Sequence, residues 1–375
     1  MKYIDEFRDG RLARTVASAI AAEAHPDETY HFMEFCGGHT HAIARYGLED
    51  LLPAQVRMIH GPGCPVCVLP VGRIDMVLKL VADEDVVLCT YADLMRVPAS
   101  GRDSLLKAKA AGADIRMVYS TADALAIAQA EPGRQVVFFA IGFETTTPPT
   151  AVAVQIAKAK GLDNFTVFCN HVLTPSAIQA ILAAPGGIRV DGFVGPAHVS
   201  TVIGTRPYER FARDYGKPIV VAGFEPLDVL QAILMLMRQK NRGQHQVENE
   251  YSRAVTPEGN VKAQALVAEL FDVRDAFEWR GLGTVPDSAL MLKDRFAAFD
   301  AERRFAMAPI TASDNPACEC AAILRGVKRP EDCRLFGTAC TPETPMGSCM
   351  VSSEGACAAV WTYGRFRTDE RRKAG

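Results

Sequence analysis

From residue 30 to residue 240 the chain alternates short apolar runs with stretches of helical period. An amphipathic helix is expected first, over 11–24. Strand-like runs follow at 30–35, 56–60, 86–91 and 115–119, with helical periods at 74–82 and 104–111. The rhythm restarts with runs at 136–141, 166–169, 192–194 and 219–222, separated by helical stretches at 149–160, 175–183 and 227–240. Apolar runs of this length between helices are the pattern of a mostly parallel sheet covered on both faces. Short echoes, Gly-Phe-Glu at 142 and 223 and Gly-Pro at 61 and 195, suggest two related α/β halves.

Beyond residue 243 the pattern changes. Residues 244–257 are polar and read as a connector, 260–271 as a helix, and 288–299 as a helical stretch after Trp279-Arg-Gly-Leu-Gly. From Pro309 the chain is rich in Cys, Pro and Gly with few long apolar runs, so a metal-organised module is expected there rather than a third sheet. The expected fold class is α/β: two parallel-sheet α/β domains around a cleft plus a small C-terminal iron–sulfur module. The expected division is 1–130, 131–245 and 246–375.

Composition narrows the classes. With 49% hydrophobic and 23% charged residues in 375, the chain is an ordinary globular one. A net charge of −3 argues against nucleic-acid binding, and the one basic stretch, 365–373, alternates signs and reads as a solvated end. No apolar run approaches the roughly 20 residues that span a bilayer, and the acidic start does not suit a signal peptide. A cytoplasmic location is expected.

Eleven cysteines in such a chain point to metal binding or redox work rather than to a disulfide framework. Cys89 and Cys169 lie inside apolar runs and read as packed core thiols. Six, Cys318, Cys320, Cys333, Cys340, Cys349 and Cys357, crowd the last segment. Thiolates suit iron–sulfur clusters or zinc, and the segment lacks the Cys-x2-Cys knuckle usual for zinc, which favours iron–sulfur. Four would saturate one [4Fe–4S] cluster and leave two over. Cys64-Pro-Val-Cys67 after Gly-Pro-Gly reads as an exposed redox dithiol, or as half a zinc site.

Cys36-Gly-Gly-His39-Thr sets a thiol and an imidazole beyond a strand end. They could bind a metal together, form a nucleophile–base pair, or sit incidentally in a Gly-rich turn. His41, His60, His171 and His198 lie at or near other strand ends. In open α/β sheets ligands bind beyond the carboxyl ends of strands, which makes an inter-domain cleft the expected site.

The ordered set Phe-Cys-Gly-Gly-His-Thr (35–40), Gly-Pro-Gly-Cys-Pro-Val-Cys (61–67), Gly-Phe-Glu-Thr-Thr (142–146), Asn-His (170–171), Gly-Pro-Ala-His-Val-Ser (195–200), Gly-Phe-Glu-Pro (223–226) and the six-cysteine tail resembles the HypD family. The resemblance implies a scaffold, rather than a conventional turnover enzyme, for the Fe(CN)2CO unit of [NiFe]-hydrogenases. It implies a HypC-type small chaperone holding iron jointly and a HypE-type partner donating cyanide from a thiocyanate. Carried over, Cys36 is the iron-binding thiolate with His39 and His198 nearby, and Cys64 and Cys67 are the electron-relaying dithiol. The family spacing Cys-x14-Cys-x6-Cys-x16-Cys makes Cys318, Cys333, Cys340 and Cys357 the cluster ligands, leaving Cys320 and Cys349 as a redox pair. Ala197 stands where the family more often has glycine. The rival reading is a stand-alone [4Fe–4S]-linked disulfide reductase, which would leave Cys36 and His39 without a task.

Overall fold

A computed structural model describes residues 4–184 and 189–364. The tail 365–373 lies outside the described residues. Among the described residues nine strands form two parallel sheets. Sheet A runs β2 (Val56–His60), β1 (Tyr30–Glu34), β7 (Gly192–Pro196), β8 (Ile219–Ala222) and β9 (Val247–Asn249). Sheet B runs β4 (Ile115–Met117), β3 (Val86–Thr90), β5 (Gln135–Gly142) and β6 (Phe165–His171). The inner strands β3, β7 and β8 are buried along their whole length, and β1 and β5 at all but one residue, as expected where helices cover both faces.

The helices are α1 (Gly10–Glu23), α2 (Gly37–Tyr46), α3 (Pro65–Val68), α4 (Val71–Asp83), α5 (Leu105–Ala110), α6 (Thr121–Ala130), α7 (Thr147–Lys160), α8 (Thr174–Leu182), α9 (Ala197–Ile203), α10 (Glu209–Tyr215), α11 (Pro226–Asn241), α12 (Val261–Leu270), α13 (Ala301–Arg304), α14 (Cys320–Leu324) and α15 (Ala356–Tyr363). Among the described residues none is long and apolar enough to cross a membrane.

The sheets do not follow the expected division at 130/131, which falls between α6 and β5, two elements of the same sheet-B unit. After β2 the chain leaves sheet A, builds all of sheet B, and returns with β7 beside β1. The linear rhythm of strand and helix is the same in both sheets, so it carries no mark of which strand pairs with which. The polar connector at 244–257 holds β9, which extends sheet A by one edge strand. The expected helical stretch at 288–299 is instead β13 (Leu290–Leu292) and a 3-10 turn, Asp294–Phe299. β13 pairs with β10 (Phe271–Val273), and β11 (Ala276–Trp279) pairs with β12 (Gly283–Pro286). Runs of three or four residues are too short for either periodicity to decide.

The pairing explains where a site can form. In sheet A the chain passes from β1 outward to β2 in one direction and from β7 outward to β8 and β9 in the other, so the strand order reverses between β1 and β7. A crevice opens at such a reversal beyond the strands' carboxyl ends. Met33 and Phe35 of the β1 end, Phe143 of the β5 end, Val68 and Trp279 share one core cluster, which holds the carboxyl ends of the two sheets toward each other.

Candidate functional site

Cys36 leaves β1 with extended backbone and caps α2. Its N–H donates to Glu34 Oε2 at 3.0 Å. Glu34 is wholly buried, and its other oxygen takes the Thr40 hydroxyl and His60 Nδ1, the latter at 3.0 Å. Burial opposes a charge on His60, but the Glu34 hydrogen bond wins and raises its pKa. Burial first, then the carboxylates Glu354 and Glu34, push the Cys36 thiol far above its usual range, against the helix N–H groups of Gly38 and His39. Glu354 comes from the C-terminal module and presses on the Gly37 backbone.

His39 sits in the first turn of α2 and is fully buried. Its Nε2 lies 3.0 Å from the Ala222 carbonyl and 2.9 Å from that of Gly223, so Nε2 carries the proton and donates. Nδ1 is left with its lone pair, buried and without a partner. Burial lowers the His39 pKa, and this neutral tautomer is one that can ligate a metal or accept a proton. The Phe224 ring stands against both His39 and His198, with ring centroids 4.9 and 4.0 Å away. Gly38 is required beneath it, because a Cβ there would lie 2.7 Å from the ring. Ala197 opens α9 without a positive φ, so alanine fits where glycine was expected.

The second expected motif packs directly behind. Gly37 N–H donates to the Gly63 carbonyl at 3.1 Å, which places the Cys64 loop against the Cys36 turn. Cys64 caps α3, and the Cys67 N–H donates to Cys64 Sγ at 3.3 Å. α3 lies against the module segment at Ser348, whose hydroxyl donates to the Cys67 carbonyl at 3.0 Å. There the thiols form a line. The Cys67 thiol points to the Ser348 carbonyl at 3.9 Å, and burial first, then the neighbouring Cys349 and Cys64 thiols, raise its pKa far above the usual range. The neighbouring Cys320 and Cys67 thiols lower Cys349 to about 6 despite complete burial. Cys320 in turn contacts Cys318 and Cys357.

Cys318, Cys320, Cys333, Cys340 and Cys357 line one small cavity with Ile323, Leu335, Phe336 and Met350. Met346 N–H donates to Cys340 Sγ at 3.3 Å. Among the described residues no three candidate ligands are already gathered at metal-binding spacing. The donors are soft and the remaining lining is apolar, a combination that suits an iron–sulfur cluster.

The other expected residues stay apart. His171 is a buried hydrogen-bonded histidine on β6, 2.9 Å from Thr150 Oγ1 and lowered to about 4 by burial. His41 meets the Tyr363 hydroxyl at 3.1 Å, tying α2 to α15. Cys89 and Cys169 are buried in sheet B, pushed up by burial to about 12 and about 11. Sequence reasoning passed over Glu34, Phe224 and Glu354. Glu34 carried a signal, a carboxylate inside an otherwise apolar strand run, which rarely occurs without a partner. Phe224 carried one only as part of the Gly-Phe-Glu-Pro motif, which did not tell its role beside His39, and Glu354 carried none, since its approach to Gly37 spans more than three hundred residues.

The whole chain has close counterparts among known proteins. The family model HypD, described as the Hydrogenase formation hypA family, matches residues 11–364. The chain is 70% identical to the hydrogenase maturation factor HypD of Rhizobium leguminosarum bv. viciae, over 99% of this chain and 98% of that one. It is 50% identical to the hydrogenase maturation factor HypD of Rhodobacter capsulatus, over 99% and 100% of the two chains. The likeness to the protein of that name in Escherichia coli (strain K12) is 46%, over 97% and 98%.

Proposed function

The chain belongs to the HypD family of hydrogenase maturation factors, and from that premise we propose that it is the scaffold on which iron receives its cyanide and carbonyl ligands. The observation that carries this reading is the series of neighbouring thiols from the Cys36 turn through Cys64, Cys67, Cys349 and Cys320 to the cysteine-lined cavity.

Each end of that line has its task. At the Cys36 end, a soft sulfur, which would give up its proton on binding iron, and the His39 Nδ1 lone pair stand on one helix turn beyond β1, with His198 across the Phe224 ring from His39. Cargo iron held by Cys36 would be incompletely ligated, so a HypC-type chaperone completes its sphere. A HypE-type partner delivers cyanide as a thiocyanate. The release is reductive: R–S–C≡N and two thiols give R–SH, HCN and one disulfide, and HCN loses its proton on binding iron. Cys64 and Cys67 supply the two thiols, and their loop touches the Cys36 turn.

The resulting disulfide must be re-reduced. Cys349 stands between Cys67 and Cys320, and its thiol is held below the usual range, so it can attack as a thiolate. That supports reading Cys320 and Cys349 as the exchanging pair, with Cys318, Cys333, Cys340 and Cys357 left as ligands. A [4Fe–4S] cluster held by those four would supply electrons one at a time. Eleven free cysteines fit a reducing compartment, the cytoplasm.

The test is an infrared spectrum of the protein purified without air together with its chaperone. Cyanide and carbonyl bands are expected, and Cys36→Ser should remove them while the visible absorbance of the cluster stays. Bands of normal intensity in Cys36→Ser would defeat the assignment of the iron ligand and favour a stand-alone cluster-linked reductase. Cys333→Ala or Cys340→Ala should abolish the cluster absorbance, whereas Cys320→Ala or Cys349→Ala should keep it and lose thiol reduction.

A further inference from the structure

A cavity of about 600 Å³ lies between the segment 96–107, which joins β3 to α5, and the module loops 313–316 and 343–347. Its lining includes Arg280, a residue only 3% exposed. The Arg280 backbone N–H donates to the Val68 carbonyl at 2.8 Å, which anchors the residue immediately behind α3. Its guanidinium is poorly answered. Nε lies 3.0 Å from Asp314 Oδ1, but neither it nor the two Nη atoms makes a well-aligned hydrogen bond, and all three are buried.

An arginine cannot shed its charge, and a buried cation short of acceptors is costly. Protein carboxylates do not remove the deficit. Arg96, Arg102, Lys107 and Arg280 line the cavity against Asp103, Asp314 and Glu343, four cations to three carboxylates. Arg96 already donates to the Pro342 carbonyl at 2.8 Å. The inner wall, moreover, is one residue thick. A Cβ placed on Gly347 would lie 2.4 Å from Cys318 Sγ and 2.7 Å from Cys320 Sγ.

We propose that this cavity binds a small molecule through a carboxylate or phosphate group, whose oxygens take the unpartnered N–H groups of Arg280. The planar fork of donors suits such a group, which can accept two parallel hydrogen bonds. Because two module loops form one wall and sheet-B residues the other, a bound anion ties the module to sheet B beside its thiols. This site is separate from the Cys36 turn and does not depend on the role proposed there.

The test is calorimetric titration of the full-length, metal-loaded protein with inorganic phosphate and with malonate, at constant ionic strength, alongside thermal unfolding. One saturable site is expected with at least one of the two probes, and the unfolding temperature should rise with its concentration. The probe that binds more tightly tells a phosphate-bearing from a carboxylate-bearing ligand. Arg280→Gln should weaken binding about tenfold or more, the usual scale for losing hydrogen bonds to a charged group. Should Arg280→Gln fail to fold, the exposed pair Arg102→Gln and Lys107→Gln serves instead, each weakening binding several-fold and leaving the anion-free unfolding temperature unchanged. No saturable binding of either probe, or binding that these substitutions leave intact, overturns the proposal.

Discussion

The tripeptide Gly-Phe-Glu occurs twice, after β5 and after β8, and the two copies are used in opposite ways. In the first, Phe143 is buried against Trp279, with ring centroids 6.1 Å apart. Glu144 is buried too, and takes the Thr174 N–H and hydroxyl at 2.9 Å each at the start of α8. In the second, Phe224 is only half-buried and stands between two histidines, while Glu225 pairs with Arg8, Nη2 to Oε1 at 2.8 Å. Both copies occupy the same station of an α/β unit. Their neighbours differ: β5 lies beside β3 and β6 in a sheet whose end is closed over by α8 and the short hairpins. β8 lies beside β7, one strand from the reversal where Cys36 emerges. A motif at a strand end is thus a structural plug or a site wall according to which strand is next to it.

The largest effect should separate the two phenylalanines. Phe143→Ala empties a packed position and is expected to cost about 3–5 kcal/mol, which lowers the unfolding temperature by on the order of 10 °C. The infrared bands of its folded fraction should be unchanged. Phe224→Ala, partly exposed to begin with, should lose well under half as much stability yet weaken or shift the cyanide and carbonyl bands. If Phe224→Ala proves the more destabilising and leaves the bands alone, the contrast is gone.

This contrast shows how far the chain could be read in one dimension. The strand ends, the two sheets and the cysteine groups were legible because each is written locally, as an apolar run, a glycine turn or a clustered spacing. The opposite fates of Phe143 and Phe224 were not, because each is set by the strand next door, and strand order is not written in the rhythm. The same reason hid the return of β7 to β1, while the nearness of His39 and His198, which share the Phe224 ring, was expected only from the family resemblance. The approach of Cys67 to Cys349, across nearly three hundred residues, was suggested only by the kind of residue involved.

The two glutamates come next. Burial holds the Glu144 carboxyl up to about 7 from its ordinary 4.5, outweighing the Thr174 hydrogen bonds. The folded state therefore keeps a proton that the unfolded state gives up. Stability from this group is fully present below about pH 4.5 and falls as pH rises toward 7, by on the order of a few kcal/mol. Unfolding at stepped pH checks it: Glu144→Gln should flatten that part of the profile, so the variant compares better with the parent at pH 8 than at pH 5. A profile unaltered by Glu144→Gln would mean that burial is not what distinguishes this copy.

A smaller effect probes the wall of the site from beneath. Gly38→Ala pushes a methyl to within 2.7 Å of the Phe224 ring and is expected to cost about 1–3 kcal/mol as the ring gives way. In Phe224→Ala the same change should cost much less, so a double-mutant cycle of unfolding free energies should show clear coupling. Additive costs would mean that the α2 backbone yields instead of the ring.

The smallest effect belongs to Glu225, and it is where the comparison can be broken most cleanly. Glu225→Gln leaves the Asp228 carboxylate that accepts the backbone N–H of residue 225 at 3.2 Å, so that capping contact of α11 survives. What goes is the charge facing Arg8, a side chain 44% exposed on the short N-terminal 3-10 turn Asp5–Arg8. An ion pair open to water on one side is screened, and ordering two long side chains offsets much of its attraction. The unfolding temperature should therefore stay close to that of the parent, with any difference vanishing in roughly 1 M salt. Glu144→Gln, at the same place in the other copy, should keep its effect in that salt, because a buried group is screened much less. If instead Glu225→Gln destabilises as much as Glu144→Gln and salt does not erase it, burial is not the variable that divides the two copies. The glutamate would then matter for a helix start in both sheets, and the difference between plug and wall would rest on the phenylalanines alone.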